Sequence, residues 1–207
     1  NAGTYNESLN ISSSNVSIQG AGIGQSVIQG NSSNPNTAVL LGANVGGNNP
    51  GAVTVQNVSI SGFTIRQNIS SAGAIRTTGS APSAHGNLTI ESNRLVANGS
   101  NGGYSAYVQN AQDVHIANNE FAVEGDGAIE HLATATDSQQ FTVEGNTFEG
   151  EITRSGDGNA VEVRGSDFTV QNNDFSAVST DGAIVADISD DLDLATVRDG
   201  NTFDQVV

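Results

Sequence analysis

Glu130 and Glu162 each stand two residues after an alanine, in the phrases Ala128-Ile-Glu130 and Ala160-Val-Glu162. If Ala128, Ala160 and Ala183 occupy equivalent places in neighbouring strands, the two carboxylates share an outward column about 5 Å apart. Leu132, Arg164 and Asp187 then share the position two residues further on. Paired carboxylates at that separation, with an arginine beside them, have the arrangement of a retaining glycosidase. Such columns also arise without any chemistry, because residues 91–207 hold 21 acids. Asp190, Asp191 and Asp193 form a run of the kind that binds Ca2+, although a solvated acidic surface is the plainer reading. No other cofactor is expected. His85 falls in a loop, His115 on the outward face of a strand and His131 at an inward position. With no cysteine and no second histidine at ligand spacing, all three read as structural.

The elements that must position these residues follow from a repeat. Its five copies are Ser92-Asn-Arg-Leu95, Asn118-Asn-Glu-Phe121, Gly145-Asn-Thr-Phe148, Asn172-Asn-Asp-Phe175 and Gly200-Asn-Thr-Phe203. Asn93, Asn119, Asn146, Asn173 and Asn201 are spaced 26, 27, 27 and 28 residues apart. A fixed period of this size means one small unit stacked on itself. Before each phrase lies a run of strict alternation, such as Asn87-Leu-Thr-Ile90, Asp113-Val-His-Ile116 and Gln140-Phe-Thr-Val143, with a further copy at 194–197. Alternation of this kind marks a half-buried strand. Another strand opens with alanine at Ala38, Ala74, Ala106, Ala128, Ala160 and Ala183, and a third starts at the Leu or Phe closing each asparagine phrase. A unit this short holds no crossover helix, so successive coils pair in parallel as a solenoid. About seven coils fit the chain, for a rod about 35 Å long. Asparagine tolerates a left-handed backbone, and its amide can bond from coil to coil, so the repeated asparagines are expected at tight turns in a stacked ladder.

On these phrases, and on the opening Gly3-Thr-Tyr-Asn-Glu7 followed by Asn15-Val-Ser-Ile-Gln-Gly-Ala-Gly22, the chain resembles the right-handed parallel β-helix proteins of the pectin-lyase-like superfamily. The resemblance covers nearly all of residues 1–207 and implies an all-β, single-domain β-helix with an internal asparagine ladder. It also implies polysaccharide substrates where the fold is enzymatic. Pectate lyases combine calcium-binding aspartates with an Arg or Lys base, and the hydrolases use clustered aspartates with His and Arg-x-Lys. None of these motifs is intact, and Arg-x-Lys is impossible in a chain without lysine.

Charge divides the domain. Residues 1–90 carry Glu7, Arg66 and Arg76, net +1, whereas residues 91–207 set 21 acids against four arginines, net −17. This makes nucleic acid an improbable partner. It resembles haloarchaeal-type surface proteins, in which strong salt screens self-repulsion. Sequons run the other way: Asn6, Asn10, Asn15, Asn31, Asn57, Asn68, Asn87 and Asn98 all lie in or near the weakly charged half. Sugar there would solubilise a surface that lacks charge. No apolar run is long enough to span a membrane. The chain starts at Asn1 rather than Met, as expected after signal-peptide removal or in a fragment.

Together these features favour an extracellular, cell-surface or virion-surface structural or adhesive protein. It would self-associate end to end or along a fibre, or form part of a longer rod. A polysaccharide lyase or glycoside hydrolase of the same fold is the alternative. A non-catalytic carbohydrate-binding module is a third, with only Tyr5, Tyr104 and Tyr107 to offer an aromatic strip beyond the phenylalanines.

Overall fold

The computed structural model describes residues 1–30, 37–43, 52–67, 73–78, 83–98, 104–125, 127–132, 140–152, 159–164, 168–179, 182–187, 197 and 200–203. Asn31, Asn68, Asp190, Asp191 and Asp193 lie outside them.

Alternation is strict in Val58-Ser-Ile60, Leu88-Thr-Ile90 and Val114-His-Ile116. The aliphatic residues are buried and the intervening ones half-exposed. Such segments cannot bury their apolar face alone, and here they do so by stacking. Among the described residues, three sheets form, of eight, seven and six strands. The first runs from Gly3–Tyr5 to Thr202–Phe203, the second from Leu9–Ile11 to Gly182–Asp187 and the third from Val16–Gln19 to Phe168–Gln171. Strands within each sheet pair in parallel with the matching strands of the next repeat. The chain is therefore an all-β solenoid of parallel strands around one apolar interior. Among the described residues no helix is long and apolar enough to cross a membrane.

Phenylalanines of the repeat stack inside the first sheet. Ring centroids of Phe121 and Phe148 are 4.9 Å apart, those of Phe148 and Phe175 4.5 Å, and those of Phe175 and Phe203 5.3 Å. Leu95, Ile65, Ile28 and Tyr5 continue this register column to the other edge.

The repeated asparagines sit where the third sheet turns into the first. Asn93, Asn119, Asn146 and Asn173 are buried. The Asn146 Nδ2 donates to the Ile116 carbonyl at 2.9 Å and to Asn173 Oδ1 at 3.0 Å. Its Oδ1 accepts from the Asn119 backbone N–H at 2.9 Å and from Asn119 Nδ2 at 3.0 Å. Asn93, Asn119 and Asn173 repeat the pattern, and Asn201 Oδ1 accepts from Asn173. One repeat earlier, Phe63 takes the place of the asparagine, and its N–H donates to Asn93 Oδ1 at 3.1 Å.

Three details depart from the sequence reading. The left-handed backbone belongs to the residue before each buried asparagine: Ser92, Asn118, Gly145 and Asn172 have φ of 54°, 54°, 64° and 56°, and Gly62, before Phe63, has 75°. That residue makes the bend, which frees the next side chain to point inward and bond. Ala106 pairs with Ile75 and Ile129, so its alignment with the strand-opening alanines is one residue out, and Ser105 takes that position. Alanine is small enough for either face, so its recurrence did not discriminate register. Finally, Val197 has helical rather than strand backbone, yet still packs against the core. Apolar spacing signals an inward side chain, which a helical turn also supplies.

Candidate functional site

The outer face of the second sheet brings together the residues with the most chemistry. Glu130 pairs in register with Glu162, and Leu132, Arg164 and Asp187 occupy one position two residues on. The same column continues to Tyr107 and Arg76. The sequence reading exposes Glu162 to solvent, but it is buried, 6% exposed. The Tyr104 hydroxyl donates to Glu162 Oε2 at 3.2 Å. Tyr104 reaches it by lying across Gly127, where a Cβ would come within 2.5 Å of the ring. Glycine at 127 is the local condition for that contact. The Arg76 guanidinium lies 5.0 Å from the centroid of the Tyr107 ring, a cation–π geometry. Gln109 Nε2 donates to the Tyr107 hydroxyl at 2.6 Å.

Tyr104 and Glu162 engage one another, as do Arg76, Tyr107 and Gln109, while the side chains of Glu130, His131, Leu132, Arg164 and Asp187 lie outside the described ones. The tyrosines and Arg76 form a laced patch, where a catalytic groove would aim groups of mixed charge at a shared empty point. With Tyr104 buried, the exposed aromatic surface here falls to Tyr107. Among the described residues no cluster of three His, Cys, Asp or Glu could hold a metal ion.

His85 begins the strand His85–Glu91 and is buried, which corrects its placement in a loop. Its Nδ1 accepts from the Val55 N–H at 3.2 Å, while Nε2 lies 3.0 Å from the Thr78 carbonyl. Gly42 makes room for it, since a Cβ there would meet His85 Cε1 at 2.3 Å. The geometry requires a neutral ring with its proton on Nε2. Burial pushes the pKa below the ordinary histidine value, against a smaller upward pull from the Thr78 carbonyl. The unfolded chain therefore takes up this proton first as pH falls. Stability should be full above about pH 6.5 and should decline as pH drops from there. Hydrogen bonds from Gln171 and His115 hold the Glu144 carboxyl low, and Ser176 does the same for Asp174, so their losses come only in the more acidic carboxylate range. Thermal melts at fixed salt from pH 7.5 to 5.5 check this. A flat melting temperature across that interval would contradict the buried neutral ring, and His85→Gln should flatten the slope.

On the third sheet, three sequon asparagines prove to be a structural column. Asn15, Asn57 and Asn87 are exposed, with left-handed φ of 60°, 56° and 51°. Asn57 Nδ2 donates to Asn15 Oδ1 at 2.8 Å, and Asn87 Nδ2 donates to Asn57 Oδ1 at 2.7 Å. Ser59 Oγ donates to Ser17 Oγ at 2.8 Å. Each alternating run is therefore headed by a left-handed asparagine, at or near the start of its strand, with a hydroxyl two residues later, which spells Asn-x-Ser/Thr. Asp113 holds the equivalent bend, with φ 52°, in the next repeat. Of the other described sequons, Asn10 is half-buried in a strand, Asn6 is exposed outside any strand and Asn98 ends the strand Arg94–Asn98.

No protein-family model matches the chain, and no curated protein or solved structure matches it.

Proposed function

We propose that this is an extracellular structural or adhesive β-solenoid, a subunit of an end-to-end assembly at a cell or virion surface in a salty medium. In finer detail we read a right-handed β-helix of about seven coils with an inner asparagine ladder, of the pectin-lyase-like kind. The handedness follows the general preference of parallel crossovers. The coil-to-coil amide bonds and the addition of every third strand to the same sheet support the rest.

The observation that carries the functional reading is the parallel stacking of strands into three sheets, which can be extended strand by strand along the rod. Among the described residues, Gly3–Tyr5, Leu9–Ile11 and Val16–Gln19 are the outermost strands at one margin of the three sheets, and Thr202–Phe203, Gly182–Asp187 and Phe168–Gln171 at the other. An edge strand is a template for further pairing, with a second copy or with more of the same rod. On the second sheet Glu162 is buried under Tyr104 and Arg76 lies over Tyr107, which favours structure over catalysis at those positions. Sugar on the weakly charged half belongs to this reading, with exposed Asn6 the best placed of the described sequons.

Electron microscopy of concentrated protein in molar salt tests it: filaments of solenoid width are expected, and dispersed single rods would defeat it. A salt effect on stability is also expected. The net −17 of residues 91–207 repels itself in dilute buffer, whereas the Debye length falls to about 3 Å at 1 M. The melting temperature should rise by several degrees between dilute buffer and molar sodium chloride. No change would contradict the high-salt setting.

A further inference from the structure

We propose that the mouth of the solenoid formed by its first coil receives the last coil of a second copy, with Phe203 of one molecule seated on Tyr5 of the next. This rests on the end-to-end reading and specifies its contact.

The first-sheet column starts at Tyr5 and ends at Phe203. Phe121 and Phe148 have an inward neighbour on both sides and are fully buried. Phe203 has Phe175 on one side and stays 37% exposed. At the opposite end, a cavity of about 320 Å³ opens between Tyr5, Leu9, Ile18, Ile28 and Phe63, with Asn1, Glu7 and Gln19 also lining it. An apolar cavity of about 150 Å³ is enough to take up benzene, so this one has room for a phenyl ring. Ile23 and Phe203 are the large apolar side chains left exposed among the described residues, and each lies in a terminal coil.

The edges match as well. Head-to-tail stacking continues the parallel pairing of the first two sheets, with Thr202–Phe203 against Gly3–Tyr5 and Gly182–Asp187 against Leu9–Ile11. Charge selects the same orientation. A tail-to-tail contact would press two strongly acidic halves together, whereas head-to-tail sets the acidic half against one of net +1. A head-to-tail contact along a rod axis does not close on itself and propagates.

Phe203 opposite Tyr5 puts Thr202 beside Thr4, both exposed, at the strand spacing of about 4.8 Å. That lies within the Cα separation of a disulfide, and the chain has no cysteine of its own. The test therefore uses Thr4→Cys and Thr202→Cys, made as separate proteins and oxidised in molar salt, alone and mixed. The mixture should give a covalent dimer linked 4 to 202, which neither variant gives alone. Phe203→Asp should weaken self-association of the otherwise unaltered chain by about tenfold or more, as measured by sedimentation. If the unaltered chain stays monomeric at every concentration, both this contact and the end-to-end reading fall, and the mouth belongs to another occupant, such as further chain preceding Asn1. If it associates but no 4–202 bond forms, or Thr202→Cys links only to itself, this contact falls while assembly stands. Should Phe203→Asp lower the melting temperature, the cross-linking result decides.

Discussion

Replacing Phe148 with alanine should lower the free energy of unfolding by about 3–5 kcal/mol. The ring is fully buried, between Phe121 at 4.9 Å and Phe175 at 4.5 Å. Backbone pairing fixes the spacing of those neighbours, so the stack cannot close over the lost ring and a cavity remains. Denaturant unfolding in molar salt, where charge repulsion is screened, gives the number directly. Phe203→Ala is the comparison: its ring is 37% exposed and should cost less than half as much. A loss below about 1 kcal/mol for Phe148→Ala would mean that the core does not depend on the stack.

Asn146→Leu, which keeps the branching at Cγ but loses the amide, should cost about 2–4 kcal/mol. The substitution takes an acceptor from the Asn119 N–H and Nδ2, and a donor from the Ile116 and Glu144 carbonyls. Each buried group left without a partner costs about 1–3 kcal/mol, and entry of water at the turn relieves part of the sum. The residue one place earlier in the neighbouring repeat supplies the control. Asn118 is exposed with φ 54°, a conformation glycine adopts freely, so Asn118→Gly should be close to neutral. Denaturation midpoints of the two variants measure the contrast. Equal losses would show that the turn, not the amide, carries the stabilisation.

That pair of neighbours shows how much the sequence conveys. The asparagine phrase is legible because stacking makes equivalent residues face one another, so periodicity in sequence becomes register in space. Glu130 against Glu162, and Leu132 with Arg164 and Asp187, follow from the same period. That Asn119 rather than Asn118 is the repeated residue is legible, because Ser92 and Gly145 stand where Asn118 does. That the residue before it, and not the repeated asparagine, bends the backbone is decided only by the path of the chain.

The sequons teach the same lesson from the other side. Asn15, Asn57 and Asn87 spell a modification signal, yet in the fold their amides bond from strand to strand. A left-handed asparagine at the head of an alternating run, with an outward hydroxyl two residues on, writes that signal unaided.

The sequence by itself determined the solenoid of parallel strands, the inward column that runs through Phe148 and Phe175, and the uneven charge. All three depend on periodicity or composition, which are properties of the chain taken singly. Tertiary structure alone decided that Tyr104 crosses Gly127 to bury Glu162, and that Gly42 opens a space for a neutral His85. Those outcomes depend on residues from different coils meeting at distances of a few ångströms, and spacing along one chain does not encode which side chain covers which.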